Sequence, residues 1–297
     1  MKTVGIIGLG NMGMGMAKNL LAKGFAVKGY DLRKEVLDEL KSLGGVPTSS
    51  AAELAADCDV VFFMVLNGKQ VLDILEGGFK QKIKMGSTII ITATIGQSYV
   101  KQIESIVIAA GADILDMPVS GGKYGAHGGT LTLMASGKKQ VFDAHQDVMQ
   151  AIAKSIFYVG GEIGQGQVVK ACLAIMVGSS YEALFESMVL SAKAGLDPEV
   201  LSMVMNTSVV ASNLTKNTTE YIMDRKFVNT GSHISTMYKD FGISMAMAKE
   251  LGVPMPAASV VMEMFQAGIT AIPDGDNWCI VQLLEKLAAT EVHRREK

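Results

Sequence analysis

The stretch that decides the fold of this chain lies near its N-terminus. It reads Val4-Gly5-Ile6-Ile7-Gly8-Leu9-Gly10-Asn11-Met12-Gly13 and continues into Met14-Gly15-Met16-Ala17-Lys18-Asn19-Leu20-Leu21. A short β-like run is thus followed by a glycine turn and a helix-like run. In such a turn the first glycine permits the bend, the second lets backbone approach a pyrophosphate, and the third lets helix pack against strand. Phosphate then sits at the helix N-terminus, so the pattern predicts a dinucleotide site.

A second β-like run, Ala26–Tyr30, ends in Asp31. That acidic residue follows the glycine turn at the expected distance of roughly twenty residues, where it can hydrogen-bond the adenosine ribose. Its charge also repels a 2′-phosphate. NAD is therefore favoured over NADP as the cofactor, although Arg33 and Lys34 lie close by and weaken that preference.

Strand-like and helix-like runs go on alternating after this point. Strands are predicted at 60–64, 88–91, 130–134 and 155–159, and helices near 50–56, 68–76, 97–109 and 139–150. The alternation up to residue 109 predicts a parallel sheet covered on both faces. Ligands of such sheets bind beyond the C-terminal ends of the strands, so Val65-Leu66-Asn67 and Thr92-Ala93-Thr94-Ile95 are candidate contacts to the nicotinamide ribose. The alternative is that these loops are polar only because they are exposed.

A further strand leads into Ser120-Gly121-Gly122 and Lys123. The backbone N–H groups and the hydroxyl of this turn face one space, which forms an anion-binding nest suited to a substrate carboxylate. The alternative is a plain glycine turn. Lys123 either adds charge to the site or points to solvent.

Lys170 is the candidate acid/base. It closes the glycine-bearing segment Gly164-Gln165-Gly166-Gln167-Val168-Val169-Lys170 and stands at the start of a long apolar run. The positive end of a helix and apolar surroundings both favour the neutral amine, which proton transfer requires. The alternative is a solvent-facing lysine on the first turn.

The second half of the chain has helical periodicity, punctuated by prolines such as Pro198 and Pro254. Asp197-Pro198 predicts a helix start, and the run at 167–194 predicts one long helix. We therefore predict two domains, residues 1–162 and 163–297, the second all-helical. Its many apolar helices predict a homo-oligomer, either a homodimer or a homotetramer. Lys239-Asp240 stands on another helix, where neighbouring side chains are not expected to pair.

Composition excludes several classes of partner. The net charge is −2 and the pI is about 6.1, which gives no electrostatic attraction for nucleic acid or an anionic membrane. Apolar stretches such as 171–177 are too short to span a bilayer, so we expect a soluble protein. Three cysteines and four histidines without ligand spacing predict no metal site and fit a reducing cytoplasm. Cys172 is expected to be buried.

Taken together, these motifs resemble the β-hydroxyacid dehydrogenase family, which includes 3-hydroxyisobutyrate dehydrogenase and tartronate semialdehyde reductase and is related in fold to 6-phosphogluconate dehydrogenase. The resemblance rests on residues 8–13, Asp116-Met117-Pro118-Val119-Ser120-Gly121-Gly122, residues 164–170 and Lys239-Asp240. It implies an α/β fold, with a doubly wound Rossmann-type domain followed by a helical domain. It also implies hydride transfer between a nicotinamide cofactor and a small β-hydroxy acid or its semialdehyde.

The resemblance further implies roles for individual residues. Ser120, Gly121 and Gly122 hold the substrate carboxylate, Lys170 is the acid/base, Thr94 meets the cofactor ribose and Lys239 lies against the cofactor. The chain departs from the family pattern where Leu173 and Ala174 replace two amides after the lysine, Leu66 replaces a proline and Ile91 replaces an aspartate. These departures leave the substrate open. Either a bulkier or less polar substrate fills the space beside Ala174, or polar groups such as Gln167, Lys123 or Tyr238 take the place of the missing contact. The alternatives are an imine reductase-like enzyme and a binding protein that has lost catalysis.

Overall fold

The computed structural model describes residues 2–295 of the chain. It divides into two compact units, Met1–Lys170 and Ala171–Lys297. The boundary falls inside one long helix, so the domain limits at 162 and 163 stay a prediction.

The first unit alternates strands and helices, as the sequence predicted. The strands are β1 (Thr3–Ile7), β2 (Ala26–Tyr30), β3 (Val46–Pro47), β4 (Val60–Phe63), β5 (Thr88–Ile91), β6 (Asp113–Asp116), β7 (Val119–Ser120), β8 (Leu131–Gly137) and β9 (Ala153–Gly160). The helices are α1 (Asn11–Ala22), α2 (Lys34–Ser42), α3 (Ala51–Asp57), α4 (Gly68–Ile74), α5 (Gln97–Ala109), α6 (Gly122–Gly128), α7 (Lys139–Ala144), α8 (Gln146–Ile152) and the start of α9 (Gln165–Lys193). A kinked π-helical turn, Leu75–Phe79, follows α4.

These strands form one sheet in the order β3-β2-β1-β4-β5-β6-β8-β7, with β9 paired to β8. Strands β1 to β6 run parallel, as predicted. Strand β8, for which the sequence predicted no direction, is antiparallel to β6 and β7 and parallel to β9.

Both faces of the sheet are buried, which explains the nearly continuous apolar strands. Ile6 belongs to a core cluster that includes residues of α1 and α8, and its neighbour Ile7 belongs to a separate cluster that includes residues of α3 and α5. Alternate residues of β1 therefore supply two cores, which is the doubly wound arrangement.

The second unit is helical. Beyond α9 it contains α10 (Pro198–Thr207), α11 (Asn213–Met223), α12 (Ile234–Glu250), α13 (Pro256–Ala271), a 3-10 turn (Asn277–Ile280) and α14 (Val281–Ala288). Asp197 caps α10 by accepting a hydrogen bond from the backbone N–H of Glu199, and Pro198 occupies the first helical position. This confirms the predicted helix start.

Helix α9 matches the long helix predicted at 167–194, and much of it is apolar. Its 29 residues include a window of mean hydropathy 1.5, so by length and composition alone it could cross a membrane. The expectation that no apolar stretch is long enough was therefore wrong. However, its residues Tyr181, Phe185 and Met188 belong to the core cluster of the second unit together with Phe241 and Trp278, as expected of a core helix.

Candidate active site

The glycine turn lies between β1 and α1 and fits a pyrophosphate. Gly8 has a φ of 91°, and a Cβ atom there would lie 2.3 Å from the Met64 carbonyl oxygen. A Cβ on Gly13 would lie 1.9 Å from the Gly8 carbonyl oxygen, whereas a Cβ on Gly10 would meet nothing nearer than Arg33 at 3.8 Å. The first turn of α1 carries no acidic residue. An anion can therefore approach the N–H groups at the start of α1.

Asp31 follows the last residue of β2 and is tied to that turn. Its Oδ2 accepts a hydrogen bond from the backbone N–H of Leu9 at 2.8 Å, and the Arg33 guanidinium donates to both carboxylate oxygens at 3.0 Å. Burial alone would raise the pKa of Asp31, but the hydrogen bonds from Arg33 and Leu9 outweigh it and hold the pKa below its ordinary value. The carboxylate is thus ionised beside the turn.

Two loops follow the C-terminal ends of β4 and β5. Val65 is partly buried, and Leu66 and Asn67 are exposed. The Asn67 side-chain oxygen caps α4 by accepting from Gln70, so its amide nitrogen is the group left for a ligand. In the next loop Thr94 is partly buried between buried Ala93 and Ile95.

The Ser-Gly-Gly turn joins β7 to α6. Gly121 and Gly122 both have positive φ values, 126° and 58°, which explains why glycine stands at both positions. A Cβ on Gly122 would meet nothing within 4 Å, so the space beside it is open. Ser120 is partly buried and Lys123 is exposed.

The start of α9 is fixed by the buried carboxylate of Asp116, the last residue of β6. Its Oδ2 accepts from the backbone N–H groups of Gly164 and Gln167 at 3.1 and 3.0 Å and from the Ser136 hydroxyl at 3.1 Å. Burial raises the pKa of Asp116 to about 6, against the lowering effect of these bonds. Lys170 stands three residues beyond Gln167, on the second turn rather than the first, and is partly buried.

The remaining predicted residues lie in the second unit. On α12, Lys239 Nζ lies 2.8 Å from Asp240 Oδ1, so the expectation that these neighbours do not pair was wrong: long flexible side chains can reach each other although their Cβ atoms diverge. Leu173 is exposed and Ala174 is buried. Cys172 is exposed, which corrects the expected burial, because it lies on the outer face of α9.

Asp116 was not among the predicted site residues, and Gln167 was considered only as one of the polar groups that could take the place of the missing substrate contact. Both stand inside motifs that carry the family resemblance, Asp116 as the residue that ends a strand and Gln167 as one of two amides between glycines and lysine. An acidic residue that directly follows apolar Ile114 and Leu115 at the end of a strand was the available signal, since burial of a carboxylate requires partners.

Comparison with known protein families identifies the class of protein to which the chain belongs. Residues 3–160 match a family model described as the NAD binding domain of 6-phosphogluconate dehydrogenase, and residues 164–284 match one described as NAD-binding of NADP-dependent 3-hydroxyisobutyrate dehydrogenase. The fold is thus that of a nicotinamide-nucleotide dehydrogenase.

Individual relatives of the chain are enzymes of the same class. The chain is 33% identical to L-threonate dehydrogenase of Cupriavidus necator, with 93% of each chain covered. It is also 33% identical to 2-hydroxy-3-oxopropionate reductase of Escherichia coli strain K12, covering 96% of this chain and 98% of the relative. The crystal structure of 3-hydroxyisobutyrate dehydrogenase from Salmonella typhimurium covers 95% of this chain and 100% of its own, at 30% identity and a TM-score of 0.86.

The chain belongs to the β-hydroxyacid dehydrogenase family. It is an oxidoreductase that transfers a hydride between a nicotinamide cofactor and a small hydroxy acid or the corresponding semialdehyde.

Proposed function

We propose that Lys170 is the general acid/base of this dehydrogenase and that Ser120, Gly121 and Gly122 hold the carboxylate of its substrate. One observation carries the proposal. The glycine turn, Asp31 and the Thr94 loop all follow C-terminal ends of parallel strands, which meet at one edge of a sheet. Asp116, at the same edge, holds the start of the helix that bears Lys170.

The chemistry follows from these positions. When bound, the nicotinamide supplies or accepts the hydride. In oxidation the neutral amine of Lys170 accepts the proton of the substrate hydroxyl, and in reduction its ammonium returns that proton. The N–H groups of Gly121 and Gly122 and the Ser120 hydroxyl orient the substrate by its carboxylate, which fixes the carbon that reacts. Lys123 adds positive charge near the carboxylate, and Val65, Leu66, Asn67 and Thr94 line the cofactor ribose, with Lys239 against the cofactor.

Substitution of Lys170 by Met tests the acid/base assignment. We expect turnover to fall by about 10²- to 10⁴-fold, the usual contribution of general acid–base catalysis, with NAD affinity unchanged. Lys193→Met is the matched control, since Lys193 lies in the last turn of the same helix and its ammonium bonds the Ala289 carbonyl oxygen at 3.3 Å. Full activity of Lys170→Met would refute the assignment.

The substrate is to be found with a panel of small 2- and 3-hydroxy acids and semialdehydes, read as absorbance of the reduced nicotinamide. L-threonate and 2-hydroxy-3-oxopropionate belong in the panel because the relatives of those names align over nearly the whole chain. Exposed Leu173 and buried Ala174, in place of amides, favour a substrate that makes fewer polar contacts there. NAD bound without turnover across the panel would favour a catalytically silent protein.

For the cofactor we propose NAD rather than NADP. The ionised Asp31 is held beside the glycine turn by Leu9 and engages the guanidinium that would otherwise attract a 2′-phosphate. Asp31→Ala is expected to shift the ratio of kcat/KM values toward NADP, because it frees Arg33. The Asp31→Ala/Arg33→Ala double variant should lose that gain. A wild-type preference for NADP would refute the assignment.

We also propose that the enzyme is a soluble cytoplasmic homodimer or homotetramer. On the surface of the second unit Met176, Met203 and Val204 are each more than half exposed, on α9 and α10. Apolar exposure of this kind is typical of subunit interfaces. A monomer at micromolar concentration by light scattering would contradict the proposal.

A further inference from the structure

The buried amide of Gln167 joins three segments of the first unit. Its Oε1 accepts from the backbone N–H groups of Ile95 and Gly96 at 2.9 and 3.0 Å. Its Nε2 donates to the Ala93 carbonyl oxygen at 3.1 Å and to Asp116 Oδ1 at 2.7 Å. Every hydrogen-bonding position of the amide is therefore used, and its orientation is fixed.

Asp116 completes the connection. Through Oδ2 it accepts from the N–H groups of Gly164 and Gln167, which are orphan donors at the start of α9, so it serves as the cap of this helix although it lies about 50 residues away in sequence. Ser136 on β8 bonds both Asp116 and the N–H of Gly166. A Cβ on Gly166 would lie 2.5 Å from the Met134 carbonyl oxygen and 2.9 Å from Asp116 Oδ2, so the close approach of the helix start leaves no room for a side chain at this position.

We propose that Asp116 and Gln167 are positioning residues that hold the helix bearing Lys170 and the loop bearing Thr94 in one fixed register. This inference rests on the proposed function of Lys170. The acid/base would act at a substrate whose reacting carbon is placed by the cofactor, so the two segments must keep their separation to within a fraction of an ångström. Direct contact of either residue with substrate is not required.

Gln167 donates and Asp116 accepts in the hydrogen bond between them, so substitutions that exchange donor and acceptor test the inference. In Asp116→Asn one carboxylate oxygen becomes an NH₂ group. If the NH₂ group takes the place of Oδ1, it faces the Gln167 Nε2 donor. If it takes the place of Oδ2, it faces the backbone N–H groups of Gly164 and Gln167. Either way two donors face each other and a hydrogen bond is lost. In Gln167→Glu a second carboxylate faces Asp116 Oδ1. The double variant Asp116→Asn/Gln167→Glu restores a donor–acceptor pair, since the new NH₂ group at position 116 can donate to the new carboxylate, whose other oxygen still accepts from Ile95 and Gly96. Its remaining cost lies at Ala93, whose carbonyl oxygen then faces a carboxylate oxygen instead of the Nε2 donor, so we expect the recovery to be partial.

The experiment measures kcat, KM, the primary deuterium isotope effect and amide hydrogen exchange in the cofactor-free protein. For each single variant we expect kcat to fall by about 10²-fold, as a misplaced catalytic group does, with an increased isotope effect. Exchange at residues 95–96 and 164–167 should accelerate. The double variant should recover at least about tenfold of the lost kcat and slow the exchange again, given the coupling typical of residues in one hydrogen-bond network.

Thr88→Val is the matched control. Thr88 is also buried, lies at the N-terminal end of β5 away from the site, and bonds His145 Nε2 at 2.8 Å. It should lose stability and keep kcat and the isotope effect. If Asp116→Asn does not fold, Gln167→Met still removes the bonds to the 93–96 loop while leaving those from Asp116 to the helix start. We expect it to lower kcat about tenfold and expose residues 95–96 to exchange.

The inference would be overturned if each single variant kept its kcat within twofold of the wild type. It would also be overturned if the fold-loss of kcat in the double variant equalled the product of the fold-losses in the two single variants. If Lys170→Met is fully active, the proposed function fails instead. The exchange measurements on the cofactor-free protein then still decide whether Asp116 and Gln167 hold the loop and the helix together.

Discussion

Alanine substitutions at two glycines of the glycine turn are predicted to have different effects: Gly13→Ala should lower stability, and Gly10→Ala should weaken NAD binding without lowering stability. A Cβ atom on Gly13 would lie 1.9 Å from the Gly8 carbonyl oxygen, and Cβ atoms essentially never approach other atoms within 3.0 Å. Gly13→Ala must therefore separate the start of α1 from the end of β1 by at least about 1.1 Å, the difference between these distances. Overpacking of this kind costs about 1–3 kcal/mol.

Gly10→Ala is the counterpart. Gly10 has a φ of −69° and open space beyond its Cα, so alanine fits without strain in the cofactor-free protein. That open space is where the pyrophosphate is expected to approach the helix N-terminus. A methyl group there should weaken NAD binding by at least about tenfold, which is about 1.4 kcal/mol, and leave the free energy of unfolding within about 0.5 kcal/mol of the wild type.

Urea unfolding followed by circular dichroism gives the free energy of unfolding, and calorimetric titration with NAD gives the affinity. Gly13→Ala should lose both stability and affinity, because the displaced helix start no longer presents its N–H groups to the phosphates. Wild-type affinity in Gly10→Ala would show that the pyrophosphate does not bind at this turn. Wild-type stability in Gly13→Ala would show that helix and strand are not packed as closely as the structure has them.

Three further outcomes can be measured. Burial raises the pKa of Asp116 from 3.8 to about 6, so between these values the folded chain keeps a proton that the unfolded chain loses, and this contribution to stability falls as pH rises. The free energy of unfolding of the wild type minus that of Asp116→Asn should therefore decrease by about 2 kcal/mol from pH 3.8 to 6 in a series of urea titrations; a difference that does not change with pH would contradict the raised pKa. A thiol reagent should label Cys172 in the native protein and leave Cys58 and Cys279 unlabelled, since burial raises the pKa of both to about 12; early labelling of all three would contradict the burial. Gly178→Val should lower the melting temperature, because even a Cβ atom there lies 2.5 Å from an aromatic ring on α12, and an unchanged melting temperature would contradict that packing.

The sequence predicted the first unit well where one local pattern decides the structure. Residues 4–21 contain a strand, a turn and a helix, and the close approach of Gly13 to Gly8 lies within that same segment. Helix α2 and strand β3 were not predicted, because Lys34–Ser42 has only one fully buried residue, Leu40, and Val46–Pro47 is too short for a periodic pattern. The single helix predicted at 139–150 is divided at His145, whose ring is held by Thr88 of a distant strand.

Two expectations for the helices of the second unit were wrong because they rested on local pattern alone. Cys172 was expected to be buried because its neighbours are apolar, yet a long helix with apolar residues on several sides leaves some of them outside its core. Lys239 and Asp240 were expected not to pair because adjacent Cβ atoms diverge, but side-chain length overcomes that divergence. Both cases depend on side-chain direction, which periodicity alone does not give.

Asp116 and Gln167 show why the most informative part of the site was not predicted. The segment 164–170 was interpreted as a glycine turn before a lysine. That interpretation explains why the chain bends, but it does not explain why Gln167 stands between Gly166 and Lys170. The structure supplies the reason: Gly166 allows the helix start to approach Asp116, and Gln167 uses the same carboxylate to hold the loop after β5. Each of these residues has its role through a partner more than 45 positions away. A motif that looks like a ligand-binding signature can therefore be fixed in part by an internal contact, and the position of Lys170 follows from that contact as much as from the helix that carries it.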